Sequence, residues 1–568
     1  FRMGIPVTGK NLFPSNIQGL PTWYEIRVSK DGYNARTSTF DLMAAFNPAT
    51  FKKDVAEVRS GGWLLYDSTW PLMEDQMRED VTFLGVPLAQ MCNDAFKSVK
   101  TRILLKNIAY AGALAALLDI DVEILTALTQ EKYGRKPALL ESNQQAIKMG
   151  YDYAKEHFDC PLPIRLEPMD KTSESILIDG NTAAALGCVY AGCTVGAWYP
   201  ITPATSMMEA FTAFCQKYRV DPETKKNRFT ILQAEDELAA VGMVIGASWA
   251  GARSFTPTSG PGVSLMSEFL GLAYFAEVPA VVFNVQRTGP STGMPTRTQQ
   301  ADLILCAYAS HGDTKHINLY PADPKEAFEM AVNSFDLAER FQTPVLVLSD
   351  LDIGMNDWMV PKLQWDDSYQ PDRGKVLSAE QLEAAKSFSR YLDVDGDGIP
   401  YRTLPGVHPR GSYFTRGSGH NQHAAYSEDE FEYMDLMDRI ARKVQGAADA
   451  VPQPEFRRKP GAKFGLVTLG GCHGACTEAL DLLAAEGLHL DYMRVRGFPF
   501  CSDVREFLES HETNFIVEQN RDGQLRSLLM IETEVSAKKL TLVRYNGGFP
   551  MSADHVIKGV RSKLGVHA

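Results

Sequence analysis

Along the middle of the chain, short apolar runs end repeatedly in clusters of Gly, Pro and Thr. Val195-Gly-Ala-Trp runs into Tyr-Pro-Ile-Thr-Pro203, and Phe229-Thr-Ile-Leu-Gln runs into Ala234-Glu-Asp-Glu237. Arg253-Ser-Phe-Thr-Pro leads to Thr258-Ser-Gly-Pro-Gly262, and Ala280-Val-Val-Phe-Asn-Val-Gln leads to Arg287-Thr-Gly-Pro-Ser-Thr-Gly-Met-Pro-Thr296. Runs this short, bounded by such punctuation and alternating with small-residue helical stretches, predict the strands of a parallel α/β sheet. Ligands collect at the carboxyl ends of such strands, so these loops are expected to converge. The first is the stiffest. Pro200 and Pro203 fix their own φ and restrict Tyr199 and Thr202 to extended geometry, presenting the Thr202 hydroxyl.

The same patterning divides the chain. Residues 1–165 form one unit, with strand-like Trp23–Val28 and Gly62–Tyr66, a helical run near Ile108–Leu118 and a largely helical tail over Tyr133–Lys155. A polar stretch from Arg165 to Ser173 separates it from a second unit, 172–355, whose first strand begins at Ile176. Residues 356–458 read as a polar connector with one helix over Glu428–Lys443. Residues 459–568 form a compact αβ unit with strands starting at Phe464 and over Asp491–Val495 and Asn514–Glu518.

With 568 residues, 45% hydrophobic and 22% charged, the chain has the composition of a globular protein of several domains. A formal net charge of -13 argues against nucleic-acid binding and requires any anion to be held by a local basic pocket. No uninterrupted apolar stretch spans a bilayer and no signal or transit layout is present, so no membrane association and a cytoplasmic location are expected. Nine scattered cysteines predict reduced thiols, with no iron–sulfur cluster held by this chain alone.

The ordered series Tyr-Pro-Ile-Thr-Pro, Glu-Asp-Glu-Leu-Ala-Ala, Thr-Ser-Gly-Pro-Gly and Arg-Thr-Gly-Pro-Ser-Thr-Gly-Met-Pro-Thr resembles the α subunit of 2-oxoacid:ferredoxin oxidoreductases. Phe13-Pro-Ser-Asn-Ile-Gln-Gly-Leu-Pro-Thr upstream and Glu518-Gln-Asn-Arg-Asp-Gly-Gln downstream extend the resemblance over nearly the whole chain, most nearly to the 2-oxoglutarate type with a fused γ domain. It implies a multidomain α/β fold: a transketolase-like, thiamine-diphosphate-binding pyrimidine domain with a parallel sheet, an N-terminal γ-type domain and a C-terminal transketolase-C-like domain. Because the chain opens at Phe1 and lacks the strand and Gly-rich turn that start such γ domains, further residues are expected upstream. Also implied are coenzyme A as co-substrate, ferredoxin as electron acceptor and a β subunit in an α2β2 assembly. That subunit would bring Mg2+, the diphosphate site and a [4Fe-4S] cluster.

Decarboxylating a 2-oxoacid leaves a carbanion that side chains cannot delocalise, hence the thiazolium as electron sink. Its activation needs a partly buried acid beside the aminopyrimidine. By resemblance and placement Glu237 is that acid, with Glu235 as the alternative. Carboxylates favoured by a helix dipole would give the same sequence. Arg287 is expected to bind the substrate's C1 carboxylate with its planar fork, and Thr202 and Thr296 to donate hydroxyl hydrogen bonds. Pro200, Ile201, Ser259, Gly260 and Gly262 are expected around the cofactor ring, although Ser259 also suits a helix cap.

Asp393, Asp395 and Asp397 fit the first half of a calcium loop, but Leu404 stands where its bidentate Glu belongs. They are carried as candidate metal ligands, against a plain acidic turn. His311, His420 and His423 read as solvated loop histidines. A pyruvate- or branched-chain-specific enzyme and a non-catalytic assembly partner are the alternative functions.

Overall fold

The computed structural model describes residues 1–15, 20–70, 72 and 74–565. An antiparallel hairpin, Val7–Leu12 on Trp23–Val28, opens the chain. Residues 16–19 of the Phe13–Thr22 motif lie outside the described residues. A three-stranded parallel sheet of Phe40–Ala45, Val58–Asp67 and Thr82–Val86 follows. Helices Val99–Leu118 and Pro137–His157 then pack closely, because a Cβ on Gly112 would lie 2.0 Å from the Ile147 carbonyl oxygen and one on Gly150 1.7 Å from that of Ala109. By length and composition Val99–Leu118 could cross a bilayer, yet Lys100, Arg102 and Lys106 interrupt it and it shares a core with its neighbour helices.

The predicted parallel strands assemble into a seven-stranded sheet. Its order is Gly497–Phe498, Ile317–Leu319, Pro344–Asp350, Ala280–Gln286, Ser254–Thr258, Val195–Trp198 and Thr230–Gln233. All neighbours run parallel except the first pair. Both faces are covered, as parallel sheets require. Along Ala280–Gln286 the side chains alternate between two cores. Ala280 and Val282 pack with Val241, Val263 and Met266 of helices Glu237–Trp249 and Gly260–Phe275. Val281 and Phe283 pack with Ala184, Phe211 and Phe335 from the opposite layer.

The C-terminal five-stranded sheet runs Glu455–Arg457, Leu490–Val495, Phe464–Leu469, Thr513–Glu518, Leu540–Arg544, with only the first strand antiparallel. It also lends Gly497–Phe498 to the edge of the central sheet, and Val467, Val495 and Leu528 share the first of the two cores above.

The connector is far from a solvated spacer. It carries strand Trp358–Pro361 and helices Ala379–Ala384 and Glu430–Gln445, and it buries Arg390, Arg402, Arg439 and Lys443. Two expectations fail here. His420 is buried between the rings of Phe275 and Tyr391, where burial lowers its pKa, whereas His311 and His423 are exposed as expected. The acidic turn does not gather its carboxylates for a metal. Asp393 accepts the N–H groups of Gly396 and Gly398 at 2.9 and 3.0 Å, while Asp395 and Asp397 close on the Lys375 ammonium at 2.6 and 2.8 Å. The lysine supplies the positive charge a cation would have brought, and among the described residues no His/Cys/Asp/Glu group could hold a metal ion.

Candidate active site at the carboxyl ends of the central strands

Four adjacent parallel strands deliver their loops to one edge of the sheet. After Val195–Trp198 comes the Tyr199–Pro203 turn, half-exposed through Tyr199 and Pro200. Thr205 holds it by accepting the Ile201 N–H at 3.1 Å and donating back to the Ile201 carbonyl at 3.3 Å. Asn181 adds a bond from Nδ2 to the Pro203 carbonyl at 2.8 Å.

After Thr230–Gln233, the Asp236 carboxylate accepts the Ala239 N–H at 2.7 Å and caps helix Glu237–Trp249. This places Glu237 at the first helical position, 8% exposed, and its carboxyl makes no hydrogen bond among the described residues. The next helix starts against it: a Cβ on Gly262 would lie 3.0 Å from Glu237 Cγ and 1.9 Å from Thr258 Oγ1. Glycine is needed there for helix–helix approach. Ser259 precedes that helix, yet its hydroxyl makes no cap bond and is buried without a partner among the described residues. A Cβ on Gly260 would meet the carboxylate of Asp302 at 2.7 Å.

Arg287, one residue past Ala280–Gln286, ties these loops together. Its Nη1 donates to the Thr202 carbonyl at 2.8 Å across two loops, and its Nε is buried with no partner among the described residues. The guanidinium feels the charges of both Asp302 and Glu237, while burial lowers its pKa. The structure therefore brings Thr202, Glu237, Ser259, Gly260, Gly262 and Arg287 to one edge, with Pro200 and Ile201 in the adjoining turn.

Thr296 is attached differently. The loop folds back so that the Thr288 N–H donates to the Arg297 carbonyl at 2.9 Å, but the Thr296 hydroxyl meets Arg297 Nη1 at 3.4 Å and has no bond to Arg287 or Thr202 among the described residues. Arg297 reaches on to the Phe13 carbonyl at 2.9 Å. Beyond it, Gln300 N–H donates to the Gln519 carbonyl, Asn520 Nδ2 to the Gln300 carbonyl and Gln524 Nε2 to the Ala301 carbonyl. Both flanking motifs of the sequence thus grip the loop that carries Arg287.

Asp302 and Asn181 were not singled out in the sequence. Asp302 ends a run, Thr298-Gln-Gln-Ala-Asp302, that reads as a polar loop yet is mostly buried. Only its position shortly after the Gly/Pro cluster could have drawn attention to it.

Two protein-family models match the chain. "Pyruvate flavodoxin/ferredoxin oxidoreductase, thiamine diP-bdg" covers residues 186–387, and "Pyruvate ferredoxin/flavodoxin oxidoreductase" covers residues 1–153. The α subunit of 2-oxoacid:ferredoxin oxidoreductase 2 from Aeropyrum pernix is 30% identical, over 96% of this chain and 91% of its own. The 2-oxoglutarate oxidoreductase subunit KorA of Mycobacterium tuberculosis is 29% identical, over 92% of this chain and 81% of its own. Among solved structures, the 2-oxoglutarate:ferredoxin oxidoreductase of Magnetococcus marinus, with 2-oxoglutarate, coenzyme A and succinyl-CoA bound, superposes with a TM-score of 0.90 at 30% identity, covering 99% of this chain and 95% of that one.

Proposed function

Since the chain belongs to the α-subunit family of the 2-oxoacid:ferredoxin oxidoreductases, enzymes with a thiamine-diphosphate-binding domain, we propose that it oxidatively decarboxylates 2-oxoglutarate with coenzyme A, yielding succinyl-CoA, CO2 and reduced ferredoxin. When bound, the thiazolium supplies the electron sink for the departing CO2. The residues of this chain supply the rest. Glu237, nearly buried and without a hydrogen-bond partner, suits an acid that hydrogen-bonds the aminopyrimidine and moves a proton there. Ser259, whose hydroxyl is buried without a hydrogen-bond partner among the described residues, and the Tyr199–Pro203 turn are assigned to the cofactor ring on family grounds. Arg287, with Nη1 already anchored on the Thr202 carbonyl, is assigned the substrate's C1 carboxylate, and the Thr202 hydroxyl is assigned to the same substrate. Thr296 is assigned to the substrate on family grounds.

A β subunit with Mg2+, the diphosphate site and a [4Fe-4S] cluster completes the reading, in an α2β2 assembly in the cytoplasm. The face beside the site supports a partner. Thr230–Gln233 is an edge strand, and Leu232 on it, Tyr199 in the turn after its neighbour strand and Leu238 at the start of the helix that follows it are all exposed. An open sheet edge beside exposed large apolar side chains suits the docking of a partner. Preference for 2-oxoglutarate over pyruvate or a branched-chain acid rests on the Mycobacterium and Magnetococcus relatives.

The observation that carries the reading is the Arg287 bond to Thr202 beside the buried Glu237. The reconstituted αβ complex tests it. Turnover is expected to be highest with 2-oxoglutarate. Glu237→Ala should leave assembly intact and lower kcat by roughly 100-fold or more, while Arg287→Ala should mainly raise KM for the 2-oxoacid. Unchanged rates in both variants would favour a non-catalytic assembly partner.

A further inference from the structure

The loop that joins Arg287 to Thr296 is closed at its base. Thr288, directly after Arg287, donates its N–H to the Arg297 carbonyl at 2.9 Å and its hydroxyl to the Thr298 carbonyl at 3.2 Å. The next residue, Gly289, donates its N–H to Gln299 Oε1 at 3.2 Å. Beyond these bonds residues 289–294 form an exposed tip. The tip turns back at Gly293, with φ +54°, and the Met294 N–H meets the Thr288 carbonyl at 2.9 Å. A Cβ on Gly293 would lie 2.0 Å from that carbonyl oxygen, so the turn requires glycine. The returning segment is held from outside the loop. Thr298 donates its N–H to the Gly548 carbonyl at 3.1 Å, and Gln300 Nε2 donates to the buried Asp350 carboxylate at 2.7 Å. Gln299 lies between these two anchors, 8% exposed, and its side chain passes their fixed position on to Gly289. Because the Thr296 hydroxyl has no bond to Arg287 or Thr202 among the described residues, the distance between Arg287 and Thr296 is set by this base.

We propose that Gln299 is a positioning residue for the 2-oxoacid: by accepting the Gly289 N–H it holds the Arg287 and Thr296 ends of the loop at the spacing that lets both reach one substrate molecule. This rests on the reading of Arg287 and Thr296 as substrate residues. Gln299 acts through them and need not touch the substrate. The role requires an acceptor at the end of a side chain of this length, since a backbone N–H only donates. Glu offers the same oxygen at the same reach. Met fills a similar volume with a thioether, a weak acceptor. The two residues that Gln299 spaces serve the carboxylate and oxo groups common to all 2-oxoacids, so its effect is independent of the rest of the substrate.

Steady-state kinetics of reconstituted αβ complexes test this. Gln299→Met should raise KM by the same factor for each 2-oxoacid the wild type accepts, roughly three- to tenfold, the worth of one hydrogen bond. In the same variant kcat should change less than about twofold. Gln299→Glu, which keeps the acceptor, should hold KM within about twofold of the wild type. In a Thr296→Val background the spacing has no second hydroxyl to serve, and the effect of Gln299→Met on KM should shrink below about twofold. Gln299→Asn, which keeps the amide but withdraws its oxygen from Gly289, replaces the Met variant if that complex fails to assemble. A Glu variant as impaired as the Met variant would overturn the proposal. So would an effect of full size in the Thr296→Val background, or a KM unchanged by loss of the acceptor. A wild-type complex that turns over no 2-oxoacid would instead contradict the functional reading itself.

Discussion

Arg287 shows how much one side chain does here: a single bond to a backbone carbonyl fixes its direction and leaves donors for a ligand. The same logic of burial without a partner has a measurable consequence at His316. Its ring is fully buried, Nε2–H donates to the Ala309 carbonyl at 2.8 Å and Nδ1 has no partner among the described residues. Burial lowers its pKa from 6.5 to about 4. In the unfolded chain the imidazole takes its proton near the ordinary value, so between those limits the unfolded state binds more protons. The stabilisation is complete above about pH 6.5 and is lost as the pH falls toward 4, amounting to about 3 kcal/mol. Thermal denaturation of wild type and His316→Gln checks this. The gap in Tm between them should narrow below about pH 6, and a gap independent of pH would refute it.

At the scale of elements, the strands that form the site were legible because each is a short apolar run stopped by Gly, Pro or a capping acid. The helix start near Glu237 was legible as carboxylates opening a small-residue run, while the Asp236 cap itself emerged only in the structure. What escaped depends on distant partners. The Asp393–Asp397 turn looks like half a calcium loop until Lys375 folds onto it. His420 sits among polar residues in sequence, and only the packing of the connector on Phe275 buries it. Asp302 belongs to a polar run that both flanking motifs enclose. The connector is pinned by a buried ion cluster. Glu277, at the end of helix Gly260–Phe275, pairs with Arg439 through both carboxylate oxygens and with Lys443 at 2.7 Å, and Arg390 Nη2 donates to its carbonyl. Removing the one carboxylate would leave these cations buried without an anion. Glu277→Gln is therefore expected to cost about 3–5 kcal/mol in chemical denaturation. A loss below about 1 kcal/mol, the size expected of a surface pair, would mean that water reaches the cluster.

Across the whole molecule, the N-terminal and C-terminal segments both reach the loop that carries Arg287. The N-terminal hairpin contributes Phe13 and a buried Lys10–Asp352 ion pair at 2.6 Å, and the C-terminal unit contributes Gln519, Asn520 and Gln524. Sequence patterning divided the chain at about residues 165, 355 and 458, but it could not reveal this convergence, because strand periodicity carries no information about which units dock. The central claim is that one edge of the seven-stranded sheet presents half of a cofactor and substrate site. The most direct test is a structure of the αβ complex with thiamine diphosphate and a 2-oxoacid. The account predicts a Glu237 carboxyl oxygen about 2.7 Å from the pyrimidine N1′ and Arg287 paired with the C1 carboxylate. A cofactor ring bound out of hydrogen-bond reach of Glu237, or served by Glu235 instead, would contradict it.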